Sequence, residues 1–378
     1  MNHRERVKAI LHYEGCDSLP IVHFGFWVET IEKWVLEGHI SLSPEGIIAA
    51  SRNGSDEEAV VAEKLGFDFN WYTVLADRGG LISLYPKFEK KVVRDLGDGR
   101  FHMQNEEGMI VLQHEGATGI PTEIGHTLTD RRSWEEFYLP KLRFSAERVN
   151  AEKVAYYKDL GEERQTPLGL YMGSLFGQIR NFMGLEAVSF LQYDDEELFD
   201  EIVDTVFNLS YQYAAEMLGS GIVFDFAHFW EDICFKNGPL ISPAVFEKKF
   251  GPLYKRLTDL CGAHGIDIVS LDCDGVIDSL IPTWMENGVN TMFPIEVGTW
   301  GASIAPWREK YGKGLLGVGG MDKRVFAHSF AEIDKEIERL KPLINLGGFI
   351  PCPDHLLAPD AKWDNVCYYC ERMRAEFC

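Results

Sequence analysis

Residues 265–275 read GIDIVSLDCDG, and variants of this pattern recur along the chain. A glycine suited to ending a helix precedes a short apolar run, 266–271, which leads into carboxylates on a tight turn. Short apolar runs bounded by turn residues mark strands buried on both faces, the kind parallel sheets use. The same reading places strands at 19–24, 67–73, 167–172, 221–226, 288–293, 314–318 and 347–351. Amphipathic stretches separate them, clearest at 55–65, 194–218 and 331–340. The second of these opens with Asp194, Asp195, Glu196 and Glu197, where a helix dipole favours anions. Eight strand–helix units in 378 residues predict an α/β fold, a (β/α)₈ TIM barrel forming one domain over 1–378. An open doubly wound sheet is the competing architecture. Against it, no G-x-G-x-x-G follows the first strand, and the strands are spread over the whole chain. Residues 88–115, FEKKVVRDLGDGRFHMQNEEGMIVLQHE, break the rhythm. The turn signals LGDGR and NEEG separate alternating runs, so a small antiparallel β insert is expected at the barrel mouth.

Composition narrows the function. Lys plus Arg is 37 and Asp plus Glu is 59, a net charge of −22. A surface this acidic repels phosphate backbones and anionic lipid, so neither nucleic acid nor membrane is an expected partner. Apolar residues make up 46% of the chain, enough for a sizeable core, which excludes global disorder. No apolar run reaches the roughly 18 residues of a transmembrane helix. The opening MNHRERVKAI carries no secretory h-region, and a cytoplasmic location is expected. The eight cysteines are scattered and read as reduced thiols. Cys367 and Cys370 form a C-x-x-C in a Tyr-rich helical segment, without the second Cys or His pair that a zinc site would need.

A barrel carries its active site at the C-terminal ends of its strands. Read there, the fourth strand offers His228, Glu231 and Asp232; the fifth Asp272, Cys273 and Asp274; the sixth Glu296. The seventh offers Asp322, Lys323 and Arg324, and the eighth Asp354 and His355. Carboxylates this close repel one another, so the rim calls for a divalent metal or a cationic substrate. Helix capping explains a single Asp but not both Asp272 and Asp274, since only one residue caps the next helix. Two oxygen ligands two residues apart suit a hard or borderline metal. The GVGG of 317–320 is an alternative phosphate cradle. No G-x-S-x-G, P-loop or HExxH motif is present.

The chain resembles the uroporphyrinogen decarboxylase superfamily, in particular its cobalamin-dependent methyltransferase branch. The resemblance runs over nearly the whole length. It is carried by RERVKAILHYEGCDSLP, WEDICFKNGPLISP, DCDGVIDSLIPTWMENGVN, FPIEV, GGMDKR and GGFIPCPDH. The resemblance implies a (β/α)₈ barrel, often dimeric. The decarboxylases grip their acidic substrate with an Arg-rich segment of the type R-Q-A-G-R; here that region reads FGFWVETIEKW, without arginine. The methylcobamide methyltransferases bind zinc through H-x-C-G after strand five and a cysteine after strand eight. Here Asp272 stands at the His position, Asp274 at the first Cys and Gly275 at the Gly, while the strand-eight Cys falls on His355, ten residues before Asn365.

The resemblance therefore implies a divalent metal, Zn²⁺ among the choices, held by Asp272, Asp274 and His355 with Glu296 as a fourth ligand. An O/O/N set suits a Lewis acid on oxygen better than a thiol-activating site. That matches a methyltransferase moving a methyl group from a methoxylated, aromatic compound to the Co(I) corrinoid of a partner protein. Glu231 or Asp232 would be the general acid or its partner. Phe24, Phe26, Trp27 and Trp230 would line an apolar pocket, and Arg180 would bind a substrate carboxylate through its planar fork. A decarboxylase of another organic acid is the alternative enzyme; it requires a cationic pocket, for which the strand ends supply only Lys323, Arg324 and Arg180. A corrinoid-binding or chaperone-like module is the non-enzymatic alternative, and the D-x-H-x-x-G that corrinoid binding uses is absent.

Overall fold

The computed structural model describes residues 1–76, 82–116 and 121–377. Its strands are β1 (Val22–His23), β2 (Phe69–Asn70), β3 (Leu75–Ala76), β4 (Lys91–Gly97), β5 (Arg100–Gln104), β6 (Met109–His114), β7 (Thr122–His126) and β8 (Gly169–Tyr171). They continue with β9 (Phe226–Trp230), β10 (Cys234–Phe235), β11 (Gly238–Pro239), β12 (Val269–Asp272), β13 (Thr291–Ile295), β14 (Leu316–Met321) and β15 (Phe349–Pro353). The central sheet is parallel, in the order β15-β14-β13-β12-β9-β8-β3. β1 pairs in parallel with β2, and one 3₁₀ turn, Trp71–Val74, separates β2 from β3. On its other side the chain after β1 meets the chain after β15, through a parallel bridge between Phe26 and Leu357. Helices connect the sheet strands, as parallel pairing requires. No helix among the described residues is long and apolar enough to cross a membrane.

Local chemistry explains the helix limits. Ser55 caps Asp56–Leu65 by accepting from the Glu58 N–H, three acids fill its first turn, and Gly66 ends it at φ 96°. The long helix expected from Asp194 is divided: Asp194 closes Leu185–Asp194, and Asp195 caps Glu196–Gly219 by accepting from the Leu198 N–H. The insert is larger than expected. It is a four-stranded antiparallel sheet, β4-β5-β6-β7, extending to His126. Its first hairpin turns on Asp98 and Gly99, both with positive φ, the type I′ geometry that Asp-Gly favours.

The sheet strands start two to five residues later than the apolar runs suggested. The glycines that open those runs, such as Gly221, Gly288 and Gly347, take positive φ and serve as helix exits, not strand residues. This slip moves His228 from the expected mouth into β9, where it is fully buried with Nδ1 3.1 Å from the Ser270 hydroxyl. The GVGG segment is likewise corrected: it lies inside β14, wholly buried. Its glycines let β14 approach β13, because a Cβ on Gly317 or Gly319 would stand 2.5 Å from an Ile295 atom. At Gly319 that atom is the backbone nitrogen and φ is +114°. Gly319→Ala is therefore expected to lower stability by about 2–4 kcal/mol, read as a fall in the urea unfolding midpoint at unchanged slope.

Candidate functional site

The ends of β9, β12, β13 and β15 bring Asp232, Asp272, Asp274, Glu296 and His355 to one face of the sheet. The DxDG turn after β12 is built on Gly275: its φ is +86°, and a Cβ there would stand 2.7 Å from the Cys234 carbonyl carbon. Its N–H donates to Glu296 Oε2 at 2.5 Å, and Thr299 Oγ1 donates to Glu296 Oε1 at 2.7 Å. Asp272 is buried and accepts a hydrogen bond from Tyr72 Oη. Asp274 lies half-exposed, its Oδ2 3.5 Å from His355 Nε2. The other imidazole nitrogen, Nδ1, accepts from the Leu356 N–H at 2.8 Å, which leaves the ring proton on Nε2, facing Asp274. Trp27 stacks over the imidazole at 6.3 Å and Phe24 meets it edge-on at 5.4 Å.

Charge crowding sets the chemistry of this face. Burial pushes Asp272 well above the usual carboxylate range, and the charges of Asp274 and Glu296 push it further. Burial raises Glu296 too, again reinforced by Asp274. Asp232, held at φ 48°, is raised by burial; Arg180 opposes that shift and Asp274 adds to it. Burial lowers Lys323, against the pull of Asp354. The two cations are engaged within the chain. Arg180 donates to the Asp232 carbonyl at 2.6 Å, to Asn181 Oδ1 at 3.1 Å and to Asp232 Oδ2 at 3.4 Å, so its fork is already occupied. Lys323 Nζ donates to the Leu356 carbonyl at 2.7 Å.

The other candidates divide into linkers and core. Asp354 accepts from the N–H groups of Gly298 and Lys323 and joins two loops. Asp322 caps the turn Lys323–Ala327 and pairs with Arg324. Phe26 is corrected from pocket wall to core: it is 1% exposed and packs on His23 and Trp34. Trp230 remains partly exposed at the end of β9. Glu231 points away from the cluster. It is fully buried and accepts from Ser174 Oγ, the N–H groups of Leu175 and Gly177, and Tyr254 Oη at 2.5–3.1 Å. Both of its oxygens serve the chain, so it positions the loop after β8 and not a substrate.

The implied metal set does not assemble. Among the described residues no group of three His, Cys, Asp or Glu side chains is disposed to hold a metal ion. Asp272 is directed to Tyr72, Glu296 to Gly275 and Thr299, and His355 presents a protonated Nε2 to Asp274. What the arrangement offers is a set of carboxyl groups raised above their ordinary pKa, against an aromatic wall. Tyr72 is a side chain of this cluster that sequence reading missed. It lies 200 residues from Asp272, in a segment read as strand, and only folding brings the two together.

No family model and no curated protein sequence matches the chain. Among solved structures, the methyltransferase from Methanosarcina mazei superposes with a TM-score of 0.59 at 14% identity, covering 100% of this chain and 99% of the other. A B12-independent methionine synthase from Shewanella sp. W3-18-1, in complex with selenomethionine, gives 0.49 at 12% identity, over 95% of this chain and 98% of its own. The first likeness shows a shared fold.

Removing the Glu231 carboxyl strands four donors in a dry site. Glu231→Ala is expected to lower unfolding free energy by at least about 3 kcal/mol, and Glu231→Gln, which keeps an acceptor oxygen, by less. Chemical denaturation of the two variants beside the parent checks the order.

Proposed function

We propose that this chain is a methyltransferase of the uroporphyrinogen decarboxylase superfamily, a closed (β/α)₈ barrel, that moves a methyl group from a methoxylated aromatic compound to the Co(I) corrinoid of a partner protein. The observation that carries the reading is the crowding of Asp232, Asp272, Asp274 and Glu296 at the strand ends, three of them raised in pKa by burial and by one another. An aryl methyl ether is inert because phenoxide leaves poorly; a carboxyl group that still holds its proton corrects that. A Co(I) corrinoid carried by the partner protein would supply the electron pair for the bond to the methyl carbon. As the carbon–oxygen bond breaks, its electron pair goes to the ether oxygen, which takes the proton of Asp232 and leaves as a phenol.

The remaining residues shape that step. Arg180 holds the Asp232 main chain through its carbonyl, which keeps the carboxyl at the mouth. His355 and Asp274, 3.5 Å apart, are the pair through which Asp232 regains a proton. Trp27 and Phe24 hold the imidazole ring and keep water from that wall. Arg180 and Lys323 are both committed within the chain, Arg180 to the carbonyl and carboxyl of Asp232 and Lys323 to the Leu356 carbonyl, which favours a neutral methyl donor over the anionic acid a decarboxylase would need.

The test follows loss of Co(I) absorbance when purified protein is mixed with reduced cobalamin and 2-methoxyphenol. A general acid must be protonated to act, so the rate should be high on the acid side and fall as pH rises through the raised pKa of Asp232. Asp232→Asn should lower kcat by about 10²–10⁴-fold, with little change in KM, and remove that limb of the profile. Transfer that is independent of pH, or undiminished in the variant, would sink the assignment.

A further inference from the structure

Between the insert and the strand ends lies a cavity of about 140 Å³. Tyr171, Trp230 and Ile82 form its apolar walls, while Glu107, Gln178 and Asn181 supply polar groups. Glu107 is delivered by the β5–β6 turn of the insert. Its N–H donates to Asn105 Oδ1 and its carbonyl accepts from Tyr138 Oη, so the turn is tied down on both sides of the side chain. Its carboxyl lies within 3.4 Å of the Gln178 amide. Burial raises its pKa, with the amide of Gln178 opposing. The cavity adjoins the proton-holding cluster. Asn181 accepts from Arg180, Arg180 donates to the Asp232 carbonyl, and Trp230 ends the strand that carries Asp232.

We propose that this cavity is the aryl subsite, which takes one six-membered aromatic ring bearing a hydroxyl group, and that Glu107 is its specificity residue. The inference rests on the methyltransferase reading for its purpose but not for its evidence. A cavity of about 150 Å³ in a protein accommodates benzene, so the space here admits a single ring. Two aromatic side chains offer faces and edges to a ring. A carboxyl oxygen accepts from a phenolic O–H, and the amides of Gln178 and Asn181 bring further donors and acceptors for a second oxygen. The insert then has a role: it closes the side of the mouth and selects the ring.

Isothermal titration of the full-length protein with phenol, cyclohexanol and toluene tests this without corrinoid or methyl transfer. Phenol should bind one to one, and cyclohexanol, with the same hydroxyl but no ring face, about tenfold more weakly. Glu107→Leu should weaken phenol about tenfold and leave toluene unchanged, while Glu107→Gln, which keeps an acceptor, should restore phenol binding. Should Glu107→Leu fail to fold, the wild-type ligand series and Glu107→Gln still decide. A polar cavity of this size that merely holds water would bind neither phenol nor toluene, and that result overturns the proposal. So does phenol binding that is undiminished in a folded Glu107→Leu. Phenol binding without methyl transfer would instead retain the subsite and remove the methyltransferase reading.

Discussion

The rest of the site depends on one buried carboxylate whose two oxygens are both bonded within the chain. Glu231 sits at the end of β9 without solvent contact and gathers donors from Ser174, Leu175, Gly177 and Tyr254. Those donors belong to the loop after β8, the start of helix Phe176–Met183 and helix Gly251–Ala263. A buried acid is tolerated only when its lone pairs are met, and here satisfying it draws three elements to one point. Gly177 shows how close the approach is: a Cβ there would lie 2.0 Å from the Glu231 carbonyl oxygen. The Glu231 N–H is bonded to the Asp272 carbonyl, so the ends of β9 and β12 are held level. The neighbouring Asp232 is thereby set at positive φ, facing Arg180 and Asp274.

From that fixed frame the electrostatics follow. Three strands, β9, β12 and β13, lead into carboxylates near one another, while Lys323 is engaged with a carbonyl oxygen and Arg180 with the carbonyl and carboxyl of Asp232. In such a setting a carboxyl group lowers the repulsion by keeping its proton. The face thereby favours the protonated form of its carboxyl groups more than a solvated surface would. Tyr72 donates to Asp272 and the Leu356 N–H donates to His355 Nδ1, so each occupies a lone pair that a metal ligand would need.

Much of this was legible in the chain, for identifiable reasons. Apolar runs after helix-ending glycines mark buried parallel strands, and Asp98-Gly99 marks a hairpin, because both rest on local backbone preferences. The strand starts were displaced, since an apolar residue after glycine looks the same in a turn as in a strand; that displacement misplaced His228. Clustering of Asp232, Asp272, Asp274, Glu296 and His355 at one face was legible from their place after strands. Where the buried Asp272 carboxyl points was not, because its partner is remote: Tyr72 lies 200 residues away and carries no sequence signal. Glu107 read as part of a turn, NEEG, and became a wall of the mouth only when β5 and β6 folded over it.

The sequence by itself determined which residue types stand at the strand ends and how acidic that end of the molecule is. Periodicity and turn chemistry are short-range, so they survive in one dimension. The tertiary structure decided which carboxylates are closed in by the chain and which stay open at the strand ends. Glu231 and Asp232 are adjacent and chemically near-equivalent, yet one is closed in by four donors and the other faces the mouth. That distinction depends on burial and on partners from distant segments, and those exist only once the chain has folded.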